Sequence, residues 1–179
     1  MSSKFIFFGF VLSIVSSLSY AQRTNFEIGA ELNLPAGNST NISPIGLGFG
    51  VKGELGLSPK FSLTGGATIA GFAGKKFYGP RAATQFYLPV KGGLKYYADK
   101  SFYVEGQLGA RMPFDSNAKT AFIWSPGVGT FLRGQDSKNQ IDIGLRYEGW
   151  RTSRLIIPTG TVYSTFNFFS LRIAYAFGL

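Results

Sequence analysis

What most constrains this chain is an alternation of bulky apolar residues with small or polar ones, kept up through eight separate segments. It begins at Phe26, Ile28, Ala30, Leu32 and Leu34, with Glu27, Gly29, Glu31 and Asn33 between them. Ile45 to Leu57 repeats it with glycine at positions 46, 48 and 50, and Phe61 to Ile69 follows the turn Ser58-Pro59-Lys60. Further runs cover Gln85 to Tyr96, Phe102 to Met112, Phe122 to Leu132, Ile141 to Glu148 and Phe169 to Phe177. A period of two belongs to a strand, whose successive side chains point to opposite faces. Shorter links (Ser58 to Lys60, Ala98 to Ser101, Arg133 to Asn139) alternate with longer ones (Pro35 to Ser43, Gly74 to Ala83, Pro113 to Thr120, Arg151 to Thr161). Short turns on one rim and longer loops on the other describe an up-and-down meander. Pro89 and Pro126 fall inside two runs and each removes a ladder donor, so a bulge or a strand end near the longer-loop rim is expected at both.

Side-chain volume indicates which face points inward. The interior of an eight-stranded barrel is just wide enough for side chains to fill it. One face carries Phe, Leu, Ile and Tyr; the other is rich in Gly, Ser, Thr and Ala. The small set suits the lumen and the bulky set suits lipid. Charge agrees with volume: Glu27, Glu31, Lys52, Glu54, Lys91, Lys95, Glu105, Arg111, Asp142, Arg146, Glu148 and Arg172 all fall on the small-residue face. They divide evenly into acids and bases, as a closed lumen of paired charges requires. A Lys or Arg at the lipid-facing midplane costs ~2–4 kcal/mol, and a one-residue slip would move a whole strand's charges there. The expected fold is therefore all-β: an eight-stranded antiparallel up-and-down transmembrane β-barrel with a lumen charge network.

Balanced lumen charge puts the excess of the formal +9 elsewhere. Lys75, Lys76, Arg81, Lys119, Arg151 and Arg154 fall in or beside the longer loops, against Asp115. One reading is contact with lipopolysaccharide phosphates or an acidic partner; the other is ordinary solvated loop charge. Nucleic-acid binding is not expected, since no recognition motif is present.

Several chemistries are disfavoured. Without His or Cys the chain lacks the commonest general base, the commonest metal ligand and any disulfide framework. Gly46-Leu47-Gly48-Phe49-Gly50 has no helix after it, so it fails as a phosphate loop. Asp142 with Glu148, or Glu27 with Glu31, are paired carboxylates of the kind that acid/base catalysis uses, but salt-bridged packing explains them better. No enzyme activity, cofactor or metal site is expected.

Met1 to Lys4, the apolar stretch Phe5 to Leu18 and the small residues Ser19 and Ala21 have the three-part layout of a secretory signal peptide, with a cut expected before Gln22. The apolar core is shorter than the ~20 residues of a spanning helix. Residues 1–21 are thus read as the leader and 22–179 as one barrel domain.

From Gln22 to Leu179 the chain resembles the bacterial outer-membrane protein β-barrel domain family, often labelled porin-family and akin to small OmpA/OmpX-type barrels. The resemblance rests on Tyr20-Ala21-Gln22, the glycine-alternating second strand and Leu57-Ser58-Pro59-Lys60-Phe61. It rests most on the closing strand Ser170-Leu171-Arg172-Ile173-Ala174-Tyr175-Ala176-Phe177. It implies residence in the bacterial outer membrane, contact with outer-membrane lipid and lipopolysaccharide, and a monomer. It also implies that Tyr175 and Phe177 form an assembly signal read by the outer-membrane insertion machinery. The chain runs on to Gly178 and Leu179, whereas the family often ends on the aromatic. Members differ in activity, so the role does not follow from the fold. The reading adopted is a non-enzymatic barrel, envelope-structural or loop-presenting, with a side-chain-filled lumen. A narrow pore and a soluble lipocalin-like ligand-binding barrel are the alternatives.

Overall fold

A computed structural model describes residues 24–75, 83–115, 119–133, 139–156 and 160–178; the expected leader and its cut lie outside them. The strands are β1 (Thr24–Pro35), β2 (Gly46–Gly56), β3 (Phe61–Phe72), β4 (Gln85–Tyr97), β5 (Phe102–Pro113), β6 (Ala121–Arg133), β7 (Gln140–Ile156) and β8 (Gly160–Gly178). They form a closed barrel in chain order, each antiparallel to its neighbours, with β8 returning to β1. Closure pairs the backbone groups between strands, which is what allows strands to cross a bilayer. A short 3-10 turn, Gly37–Asn41, sits in the β1–β2 connection.

The two faces separate as the alternation requires. On β1, Phe26 is 39% exposed while Glu27 is fully buried. On β5, Leu108 is 59% exposed and its neighbour Gln107 only 3%. Leu47, Phe49, Ile69, Phe86, Leu94, Phe122, Leu145 and Ile173 also face outward. So large an apolar exterior is far beyond what a soluble monomer exposes. A lipocalin-like barrel needs an apolar interior for its ligand, and this interior is charged, so that alternative does not fit.

Three local expectations are corrected. The segment Arg151 to Thr161, read as a long loop, is mostly strand: β7 continues to Ile156 and β8 starts at Gly160, paired from Arg151↔Thr165 to Ile156↔Gly160. The β6 pairing ends at Phe122↔Arg151 and the β1 pairing at Pro35↔Phe168, so beyond these points β7 and β8 pair with each other as a two-stranded ribbon. Thr152, Val162, Tyr163 and Thr165 favour strand, but both faces of a ribbon clear of lipid meet water, so no apolar alternation marks it.

The prolines produce neither a bulge nor a strand end. β3–β4 pairing is interrupted between Ala67↔Val90 and Ala70↔Tyr87, and β6–β7 pairing between Trp124↔Gly149 and Gly127↔Arg146, with the register kept across both gaps. Each proline gives up ladder bonds on one side only, while Pro89↔Arg111 and Gly106↔Pro126 remain aligned on the other.

The third correction concerns the lumen. Its ends are lined by bulky residues rather than small ones: Phe72, Ile123, Trp150 and Phe168 at the longer-loop end, Tyr97, Tyr103 and Phe131 at the short-turn end.

Candidate functional site

Inward positions on β1, β2, β4, β5, β7 and β8 bring eleven of the twelve predicted lumen charges into one interior layer, all buried. Lys52 stands between three carboxylates, with its ammonium 3.2 Å from Glu27, 3.5 Å from Glu105 and 3.4 Å from Asp142. Lys95 meets Glu54 at 2.6 Å and Glu27 at 3.6 Å. Arg172 bonds Glu27 and lies 3.6 Å from both Glu31 and Asp142. Arg146 reaches Glu31 at 2.8 Å, and Lys91 pairs with Glu148 at 2.6 Å. Lys52–Asp142 joins β2 to β7, Lys91–Glu148 joins β4 to β7 and Arg146–Glu31 joins β7 to β1, so the contacts tie the barrel across its width as well as around its wall.

Neutral donors take up further carboxylate oxygens. The Tyr97 hydroxyl donates to Glu54 and the Tyr103 hydroxyl to Asp142, each at 2.6 Å. Thr64 Oγ1 and Gln107 Nε2 both donate to Glu105, at 2.7 and 3.0 Å. Trp150 Nε1 donates to Glu148 at 2.7 Å. Such neighbours matter because desolvating charge costs several kcal/mol per ion unless geometry and additional hydrogen bonds offset it.

Aromatic layers close over this web. At the short-turn end the Lys95 ammonium lies 4.2 Å from the Tyr103 ring centroid and 4.8 Å from that of Phe131. At the other end Phe72, Trp150 and Phe168 pack edge to face at 5.0–5.2 Å. Between the layers, a cavity lined by Glu31, Lys52, Lys91 and Arg146 among others measures about 10 Å³, at the lower limit for a single water. Glycine supplies the remaining room: a Cβ at Gly129 would overlap the Tyr103 hydroxyl, and one at Gly127 the Arg146 side chain.

Arg111 stands apart from the other eleven charges. It is only half-buried, at the longer-loop mouth, where its guanidinium lies 4.3 Å from the Tyr87 ring centroid and 5.5 Å from that of Trp150, and donates to the Lys119 carbonyl. The web therefore holds Glu27, Glu31, Glu54, Glu105, Asp142 and Glu148 against Lys52, Lys91, Lys95, Arg146 and Arg172. Sequence reasoning missed the longer-loop aromatic layer; carrying the β3 alternation two residues past Ala70 would have put Phe72 inside.

Tyr175 and Phe177 lie on the outer face of β8, their rings 4.8 Å apart. Phe177 is registered with Phe26 and Tyr175 with Ile28, at the seam where the last strand meets the first. Of the loop cations, Lys75 donates to the Thr40 carbonyl and Arg151 lies over the Tyr163 ring at 4.2 Å. Lys119 is exposed, while Lys76, Arg81 and the Arg154 side chain lie outside the described set.

No protein-family model matches this sequence, and no curated protein matches it. Among solved structures it is similar to Ail, the attachment invasion locus protein of Yersinia pestis, at 16% identity over 87% of this chain and 99% of that one, with a TM-score of 0.54. The structure of Ail in complex with the heparin analogue sucrose octasulfate is similar at 13% identity, with the same coverage and TM-score. At such identities the likeness is one of fold: a small closed antiparallel barrel.

Proposed function

We propose that this protein is a non-enzymatic, non-conducting barrel of the bacterial outer membrane that presents a basic rim to anionic partners. The observation that carries the reading is how charge is distributed. Ion pairs cross-link the interior, while in the sequence the longer-loop segments and their flanks hold Lys75, Lys76, Arg81, Lys119, Arg151 and Arg154 against Asp115. A lumen knitted by ion pairs and closed by aromatic layers supports a structural or binding role over passage of solutes, since open pores need about sixteen strands. An excess of cations on one rim attracts phosphate or sulfate groups over a Debye length of ~8 Å in physiological salt. The Ail complex with a heparin analogue is a property of that protein; it supports the reading only as an instance of a similar barrel taking a sulfated ligand.

The test has two arms. Cells expressing the chain are fractionated, and the barrel is expected in the outer membrane, shifting in gel mobility on boiling. The purified protein in phosphatidylcholine nanodiscs is then titrated with a sulfated polysaccharide and with lipopolysaccharide. Saturable binding to either, weakening steeply with salt and lost when Lys75, Lys119 and Arg151 are changed to Gln, is the expected outcome. A soluble periplasmic pool, or no binding to either ligand at low salt, contradicts the reading.

A further inference from the structure

The lumen does not end flush at the longer-loop mouth. Above the aromatic layer is a cleft of about 310 Å³, walled by Ile42, Ser43, Phe72, Tyr87, Arg111 and Phe166 among others. Its floor is apolar and ordered. Phe72 contacts Tyr87 and Phe166 at centroid distances of 6.3 and 5.1 Å, and the Tyr87 hydroxyl donates to Gln85 at 2.9 Å. Arg111 is the one formally charged residue lining the cleft among the described residues. Its guanidinium lies against Tyr87, and its donation to Lys119 further orders it. Lys75 adds a second cation beside the wall: its backbone N–H donates to the Ile42 carbonyl, and its ammonium to that of Thr40.

A concave apolar floor with one ordered cation at its edge is complementary to one kind of small molecule. We propose that this cleft binds a free amphipathic carboxylate of about a dozen non-hydrogen atoms. Its acidic group would meet Arg111, and its apolar body would lie on Phe72, Tyr87 and Phe166. The volume falls at the small end of known ligand sites, too small for a sugar polymer or a whole lipid. Arg matches a carboxylate through two parallel N–H groups, and ordering it beforehand reduces what binding must immobilise. The polyanion reading is tested at Lys75, Lys119 and Arg151; this site is built on Arg111, inside the mouth on β5, and does not depend on that reading.

Trp150 makes the site readable. It packs 5.2 Å from Phe72 and 5.4 Å from Tyr87, directly beneath the cleft, whereas Trp124 packs against Tyr147 on the outer side of the wall. With Trp124→Phe as background in phosphatidylcholine nanodiscs, the Trp150 emission is followed during titration with decanoate, with decanol and with inorganic phosphate. The expected result is a saturable response to decanoate, at least tenfold weaker apparent affinity for decanol, and no response to phosphate alone. Arg111→Gln should weaken decanoate roughly ten- to a hundredfold, the effect of losing hydrogen bonds to a charged group, and leave decanol unchanged. Ile42→Glu, at a wall position 63% exposed and outside the strands, adds a like charge to the cleft and should weaken decanoate more than decanol. Equal affinity for acid and alcohol, an unchanged Arg111→Gln titration, or a linear response that follows lipid concentration would overturn the proposal.

Discussion

Replacing Glu54 with Gln tests the lumen web at its most enclosed point. Glu54 and Lys95 are both fully buried, with carboxylate and ammonium 2.6 Å apart. Glu54 also accepts from the Tyr97 hydroxyl at 2.6 Å. With a neutral amide at 54, Lys95 loses its close ion pair and keeps an amide acceptor, its longer contact to Glu27 at 3.6 Å, and the Tyr97, Tyr103 and Phe131 rings. Leaving one charge of a buried pair uncompensated costs about 3–5 kcal/mol. The remaining Glu27 contact places Glu54→Gln near the lower limit, at about 3 kcal/mol. Lys95→Met removes the cation and leaves Glu54 with a hydroxyl donor, at a similar cost. The double variant carries no orphaned charge at this site, so its loss should fall at least 1 kcal/mol short of the sum. The assay is reversible urea unfolding of the four proteins in phospholipid vesicles, followed by gel mobility and by tryptophan emission, with unchanged urea dependence required for comparison. A Glu54→Gln protein within about 0.5 kcal/mol of wild type, or strictly additive losses, would refute the argument that this pair is desolvated and coupled.

Gly129→Ala should destabilise the barrel by roughly 1–3 kcal/mol in the same titration, because the added methyl must displace the Tyr103 hydroxyl from its bond to Asp142. Leu108→Arg puts a cation on the lipid-facing wall and should cost ~2–4 kcal/mol, while Lys60→Arg in the β2–β3 turn should change stability by less than about 0.5 kcal/mol. Ending the chain at Ala174 removes Tyr175, Phe177 and the β8 partners of Asn25 to Ile28. Immunoblots of fractionated cells should show periplasmic degradation and no heat-shifting species, and a normal heat-shifting barrel would contradict the role given to the closing strand.

How much of this was legible in the sequence depends on what alternation encodes. It fixes the face of each residue, so the strands, the outward Leu108 and the inward Glu105 could be read directly. It does not fix height along the barrel axis. Arg111 shares its face with Glu105, but two residues before the end of β5 it emerges at the mouth and stacks on Tyr87. Partner choice is hidden for the same reason: nothing local indicates that Glu31 will meet Arg146, across 115 positions. The longer-loop aromatic layer was missed because one composition was assumed for the whole lumen, although Tyr103 of the short-turn layer already fell on the inner face. Phe72 ends β3, and Phe166 and Phe168 lie on β8 near where the barrel wall gives way to the β7–β8 ribbon; there bulky side chains close the end of a charged interior. The β7–β8 ribbon was invisible to an alternation test because above the membrane neither of its faces needs to be apolar.

A barrel whose interior is cross-linked by its own paired charges should be closed to ions, and single-channel recording reads this out. Purified wild-type protein, folded and heat-shifting, is added to a planar phospholipid bilayer in 1 M KCl. No conductance, or only small, brief events, is expected, because ion pairs bridge the interior from several strands and aromatic side chains pack at both ends. Stable, large, long-lived openings from that preparation would contradict it.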